Sequence, residues 1–386
     1  MPQSIPPGIA AIEASRIREV SLCTRGIDNN IPLWFGESDQ PTADFICKAG
    51  IAGIDQGLTL YSPNSGIDVL RHTITEYMQG LHNKPFDVER VTVTGSGMQG
   101  VMLTYQALVS PGDKVVIVGP VWPNIENAAR IVGANVVTFN LTRDPDNLCW
   151  QLDTDALIHT LGTDSKVLVV NSPNNPTGWM ASAEQLQVLL DHCRRHGIWF
   201  VADDVYNRLA LDQDRAPSVL DMADPDERVV SINSFSKAWS MTGWRLGWIT
   251  APGFLLDTYA KLTEYNISCP PAFIQMAGVT AMRDGESFIA DQLAQLRQSR
   301  DMVTQGLAAC PRVSFSPPQA TFYAFFSLEG ENDSLKLAKR IVREAHVGLA
   351  PGSAFGSGGE GFLRLCFACS KDKLGQALER LVPVFS

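Results

Sequence analysis

Lys237 sits in the run Ser234-Phe235-Ser236-Lys237, and Arg245 follows eight positions later, after Thr242-Gly243-Trp244. An amine whose surroundings lower its proton affinity can form a Schiff base with an aldehyde, and nearby hydroxyls with a guanidinium can hold a phosphate. Side by side on one short segment, these groups predict covalent capture of a phosphorylated aldehyde. Pyridoxal 5'-phosphate carries both functions. Lysines are mostly solvated, but this one follows the strand-like run Val229-Val230-Ser231-Ile232 and is flanked by Phe235, Trp239, Trp244 and Trp248, which predicts burial.

Such a segment needs a scaffold. Short apolar runs alternate with helix-period segments along the chain, the pattern of an α/β protein with a mostly parallel sheet. Strands are predicted over 90–94, 114–118, 166–170, 198–202 and 228–232, each followed by Gly, Pro, Asn, Asp or Ser. Between two of them, Ser182 with Gln185 forms a capping box. Leu186, Leu189, Leu190 and Cys193 make one apolar stripe there, and Gly197 supplies the stop. Near the end, Leu374, Ala377, Leu378 and Leu381 repeat the stripe after a strand-like 362–367, which predicts a smaller α/β unit and a boundary near residue 280.

Open parallel sheets bind ligands beyond the downstream ends of their strands, and four clusters fall there. Gly95-Ser96-Gly97-Met98 is a small-residue turn whose backbone N–H groups can meet a phosphate at a helix N-terminus. Trp122, in Pro120-Val121-Trp122-Pro123, either stacks on a flat heteroaromatic ring or fills the core. Asn174-Asn175-Pro176-Thr177-Gly178 reads by itself as a turn. In Asp203-Asp204-Val205-Tyr206, acids end a buried apolar strand, which is costly unless a cation is present. A protonated pyridine nitrogen would be that cation.

Composition bounds the rest. The chain has 386 residues, 45% hydrophobic and 19% charged, enough for one large domain and a smaller one. A formal net charge of -10 opposes nucleic acid as a partner. The first residues show no basic stretch leading into an apolar segment, and no apolar run is long enough for a bilayer, so a cytoplasmic protein without a membrane partner is expected. The eight cysteines are scattered. Cys366 and Cys369 lack the second pair or histidines of a zinc site, so no metal is expected and the thiols read as buried.

Taken in order, Asn175-Pro176-Thr177-Gly178, Asp203 with Tyr206, and Ser234 with Lys237 and Arg245 resemble the motifs of the fold-type I pyridoxal phosphate enzymes, specifically the class I/II aminotransferases typified by aspartate aminotransferase. The resemblance covers nearly the whole chain. It implies a three-layer α/β/α large domain over 46–280 that binds the cofactor, and a small domain from an N-terminal segment, 1–45, and the C-terminal 281–386. It implies that Lys237 forms the internal aldimine and then moves the proton between substrate and cofactor. By the same resemblance, Asp203 would keep the ring nitrogen protonated, and Asn175 and Tyr206 would bond the ring's phenolic oxygen. Arg245, Ser234, Ser236, Ser96, Gly97 and the Met98 backbone would hold the phosphate, with Trp122 on the ring face. Tyr61 matches the tyrosine that reaches the phosphate of the neighbouring subunit, which implies a homodimer.

Arg364, in Gly361-Phe362-Leu363-Arg364-Leu365, matches the arginine that binds the substrate α-carboxylate, with Gly36 facing it. Two departures stand out. Met98 replaces the lysine that some members use for a distal carboxylate, which favours an uncharged or aromatic substrate unless another cation substitutes. Gly36-Glu37-Ser38-Asp39 has serine where proline is commoner. The function expected is ping-pong transfer of an amino group from an L-amino acid to a 2-oxo acid. A lyase on the same scaffold is the alternative, and an effector-sensing regulator is disfavoured by the acidic chain and the lack of a DNA-binding pattern.

Overall fold

The computed structural model describes Ile5 and residues 7–386; Met1–Ser4 and Pro6, on which part of the expectation about a leader rests, lie outside the described residues. Its centre is a seven-stranded sheet built from β1 (Val91–Thr94), β2 (Lys114–Gly119), β3 (Asn135–Asn140), β4 (Val167–Asn171), β5 (Trp199–Asp203), β6 (Val229–Ser234) and β7 (Gly247–Thr250). Across the sheet they run β1-β7-β6-β5-β4-β2-β3. All neighbours are parallel except β7, which is antiparallel to both β1 and β6. Helices cover both faces, so strands such as β2 bury nearly every side chain. That is why they read as unbroken apolar runs rather than alternating ones.

The five strands expected from sequence are present with ends shifted by a residue or two, and two more escaped notice. In β3 the residues are half-buried and polar ones interrupt the run, the mark of an edge strand. In β7 a glycine opens a four-residue strand that looks too short to count. The glycine is what admits it: a Cβ on Gly247 would lie 2.7 Å from the Asn233 carbonyl oxygen and 2.7 Å from the Gly97 nitrogen.

The crossover helix Ala183–His196 has both halves of the Ser182–Gln185 capping box and ends at Gly197 with φ of 67°. Its stripe of Leu186, Leu189, Leu190 and Cys193 is buried, as the spacing predicts. A second, antiparallel sheet joins β8 (Val313–Ser314), β9 (Tyr323–Leu328), β10 (Ala350–Pro351) and β11 (Phe362–Cys366), in the order β8-β9-β11-β10. The final helix, Lys371–Phe385, buries Leu374, Ala377, Leu378 and Leu381. Ile31–Pro32 pairs in parallel with Val347–Gly348, which ties the N-terminal segment to the C-terminal one. Among the described residues no helix is long and apolar enough to cross a membrane, and none form a cluster of metal-binding side chains.

Candidate active site

The carboxyl ends of β4, β5 and β6 and the helix that follows β1 open onto one cavity of about 500 Å³. Of the residues singled out from sequence, Gly36, Gly97, Met98, Trp122, Asn175, Asp203, Tyr206, Ser234, Ser236, Lys237, Arg245 and Arg364 all line it. Ser96 does not. It caps the helix Gly97–Leu108, its hydroxyl accepting the Gln99 N–H at 3.0 Å, so it orients the helix terminus that faces the cavity. Tyr61 also lies outside, 90% exposed on its own chain.

Lys237 follows directly from β6, on the short helix Phe235–Ala238. Phe235, Trp239 and Trp248 are buried with ring centroids 5.1 to 6.4 Å apart, but Lys237 itself is half-buried rather than fully buried, since it lines the cavity. Its Nζ donates to the Gly36 carbonyl oxygen and lies 5.8 Å from the centre of the Tyr206 ring. Burial brings the amine down to about 8, and the Arg364 and Arg245 guanidinium groups push the same way against Cys366 and Glu37. Near pH 7 that leaves roughly a tenth of the amine neutral, far more than an ordinary lysine offers to an aldehyde.

Asp203 ends β5, and the structure separates it from its neighbour. Asp204 is turned away and accepts two serine hydroxyls, whereas the Asp203 carboxyl faces the cavity and, among the described residues, accepts only the Val205 N–H, at 3.3 Å. Burial pushes the Asp203 carboxyl up to about 7, with Asp204 adding to the rise and Lys237 opposing it. Ionised, it lacks a close cation, the condition that a protonated ring nitrogen would meet.

Tyr206 is buried, and its hydroxyl is 2.7 Å from that of Tyr323. Asn175 is held by its own N–H, which donates to Asn171 Oδ1 at 2.8 Å, and its Oδ1 accepts Arg364 Nη1 at 2.8 Å. The residue therefore joins the two ends of the cavity, a role that a turn reading of its sequence could not show.

Arg245 adopts a left-handed backbone, φ 54°, and its Nη1 donates to the Thr242 carbonyl at 2.6 Å. Among the described residues no carboxylate pairs with it. Ser234 and Ser236 lie beside it, their hydroxyls 2.9 Å apart. A Cβ on Gly97 would come 3.2 Å from Ser234 Cβ, so the helix amino end and the serines converge on one spot. A guanidinium without a carboxylate partner, two hydroxyls and a helix amino end are groups that could hold a phosphate.

Arg364 lies on β11 and is 2% exposed, so its guanidinium is held inside the protein. Its guanidinium sits 4.4 Å from the Tyr323 ring centre and 4.8 Å from that of Phe355, and Nη2 donates to the Trp34 carbonyl. Nε has no partner among the described residues, and no carboxylate neutralises the group. A buried permanent cation without a counter-ion is costly, and an incoming carboxylate relieves that cost.

Sequence reasoning missed Tyr323, Asn171 and Arg18. Tyr323 occurs in Tyr-Ala-Phe-Phe and looks like core; its hydroxyl requires glycine at 36, where a Cβ would fall 2.0 Å from it. Asn171 had a usable signal, a polar residue closing an otherwise apolar strand. Arg18 is on the helix Arg16–Leu22, far away in sequence, with its guanidinium 5.8 Å from the Phe35 ring centre.

Known proteins resemble this chain along most of its length. The family model for aminotransferase class I and II matches residues 29–381. An aspartate aminotransferase of Pyrococcus horikoshii is 30% identical over 376 residues, 97% of this chain and 95% of that one. An aromatic-amino-acid aminotransferase of Thermococcus litoralis is 29% identical, over 97% and 96% of the two chains. The crystal structure of the Thermotoga maritima aspartate aminotransferase superposes with a TM-score of 0.90 at 29% identity, covering 98% of this chain and 99% of that one. Motif order, cavity and whole-chain similarity agree, and this protein belongs to the class I and II aminotransferases, which use pyridoxal phosphate.

Proposed function

We propose that the chain moves an amino group from an L-amino acid to a 2-oxo acid in two half-reactions of ping-pong type, with Lys237 as the covalent attachment point of the cofactor. The observation that carries this reading is one cavity holding an amine lowered to about 8, an acid raised to about 7 and a buried arginine without a counter-ion. Bound pyridoxal phosphate supplies the electron sink and the temporary nitrogen carrier.

The chain's own groups divide the work. Arg245, Ser234, Ser236 and the amides of Gly97 and Met98 would hold the phosphate, and Trp122 would cover one face of the ring. Asp203 would hold a proton at the ring nitrogen, with Tyr206 and Asn175 at the phenolic oxygen. Arg364 would bind the substrate α-carboxylate in its fork, helped by Asn175, which keeps the guanidinium aimed. Lys237 Nζ, once released by the incoming amine, would take the proton from the substrate α-carbon.

The substrate side chain would meet Met98, Trp122, Phe35 and Arg18, all in the cavity wall. Arg18 is the other cation that a substrate with a distal carboxylate would need in place of a lysine at 98. The relatives include enzymes named for aspartate and for aromatic amino acids, and this wall offers an arginine beside two aromatic rings.

A homodimer belongs to this reading. Tyr61 and Leu60 are 90% and 82% exposed, and Ser62 bonds to Cys269 and Pro270, which brings this segment beside Tyr265, itself 91% exposed. All eight cysteines are unpaired, in keeping with a reducing cytoplasm.

The test is a half-reaction. One amino acid, added without acceptor, should convert the bound cofactor to its amine form and release one equivalent of oxo acid; a 2-oxo acid should then restore the starting spectrum. Release of ammonia or carbon dioxide in place of this exchange would refute the reading. Repeating it over dicarboxylic, aromatic and aliphatic donors identifies the substrate.

A further inference from the structure

Tyr206 and Tyr323 come from different parts of the fold. Tyr206 follows the end of β5, and Tyr323 opens β9 in the second sheet. Both are buried, 4% and 0% exposed, and both line the cavity. Their hydroxyls meet at 2.7 Å, with the rings edge to face at 74°. Among the described residues neither hydroxyl has another hydrogen-bond partner.

Each phenol carries one proton and can accept as well as donate. The surroundings of Tyr323 narrow its choice. The Arg364 guanidinium, 4.4 Å from its ring centre, offers donors only, and Gly36 abuts the hydroxyl without a side chain. When Tyr206 gives its proton into the cavity, its oxygen becomes an acceptor, and the Tyr323 hydroxyl is the donor within reach. Burial holds the Tyr323 proton in place while the Arg364 cation pulls the other way, which strengthens the hydroxyl as a donor.

We infer that Tyr323 is a positioning residue that acts through Tyr206: its hydroxyl donates to the Tyr206 oxygen, fixes that phenol and makes it a stronger donor to the cofactor's phenolic oxygen. The inference rests on the proposed bond from Tyr206 to that oxygen. Hydrogen bonds in a chain polarise one another. Stronger donation leaves less negative charge on the phenolic oxygen to hold a proton at the nitrogen joining Lys237 to the cofactor. Tyr323 would thus lower the proton affinity of that nitrogen without touching it. The charged and titratable groups facing Lys237 and the two phenols are Asp203, Arg245, Glu37, Arg364 and Cys366, none of which is altered by removing one hydroxyl.

Tyr323→Phe removes the hydroxyl and keeps the ring beside Arg364. In the cofactor-loaded protein, the pH midpoint of the visible absorbance should rise by about half a unit relative to wild type. Tyr206→Phe alone should raise it further, and adding Tyr323→Phe to that variant should change nothing more, because the intermediary is gone. A mere packing role would lower thermal stability and leave the midpoint in place. An unchanged midpoint in folded Tyr323→Phe overturns the inference, and so does an undiminished rise in the Tyr206→Phe background. No rise in Tyr206→Phe itself removes Tyr206 from the phenolic oxygen and the inference with it. Should Tyr323→Phe not fold, an ortho-fluorinated tyrosine at 323, a more acidic phenol, should lower the midpoint; no fall there overturns the inference equally. A wild-type protein without any titrating visible band would instead refute the cofactor role of Lys237 itself.

Discussion

Two side chains in the cavity are held away from their ordinary protonation, and each deviation is a prediction. Lys237→Ala removes both the attachment point and the base. It should cut turnover by at least about 10³-fold while circular dichroism and noncovalent cofactor binding persist, because the aromatic floor of Phe235, Trp239 and Trp248 does not depend on the amine. Near-normal turnover would remove Lys237 from the mechanism. Asp203 has a folded-state value of about 7 against an ordinary 3.8, so its ionised form is a cost to the fold. That cost is absent where both states hold the proton, grows as pH rises through this interval and is complete above it. Asp203→Asn should therefore raise the melting temperature of the cofactor-free protein at about pH 8, with the gain shrinking toward about pH 4. With cofactor bound the order should reverse, since the charge then has its partner. Melting curves of both forms across pH check the sign.

At the scale of elements, the cavity exists because strand ends and helix starts are brought close together, and glycine permits the closest approach. Gly247→Ala would place a methyl group 2.7 Å from backbone atoms on both sides, β6 and the start of the helix Gly97–Leu108. Neither is the free end of a flexible side chain. We expect a loss of about 2–4 kcal/mol in urea unfolding together with weaker cofactor binding, since the displaced helix start belongs to the proposed phosphate site. Ser182→Ala is the contrasting case: it removes a cap far from the cavity, should cost about 1 kcal/mol and should leave the Michaelis constants unchanged. Both elements could be judged from sequence to different depths. The capping box is local, three residues apart, and was readable; the slot that β7 fills is made by β1, β6 and a helix distant in sequence, and was not.

For the whole molecule, the exposed Tyr61 and its neighbours make assembly the decisive property. Purified protein should run at twice 42.1 kDa, and Tyr61→Phe should weaken cofactor binding by about tenfold, the worth of one hydrogen bond to a charged group. Mixing Tyr61→Phe with Lys237→Ala under exchange of subunits should produce dimers with one intact site, the lysine and the tyrosine coming from different chains. Recovery of wild-type cofactor affinity at that site would show sharing across the interface; affinity still weakened alongside proven exchange would confine the site to one chain.

The sequence by itself determined what is written in short segments. The buried parallel strands, the crossover helix, the lysine beside an anion-binding arginine and the acid at a strand end are each specified within about ten residues by burial, capping or charge. Tertiary structure alone decided which of two adjacent acids faces the cavity, that Arg364 is buried without a counter-ion, and that Tyr323 and Arg18 belong to the site at all. These depend on contacts between segments up to 330 residues apart, such as Arg364 with Trp34. A side chain's partners across the fold set its protonation and its purpose, and no local pattern encodes them.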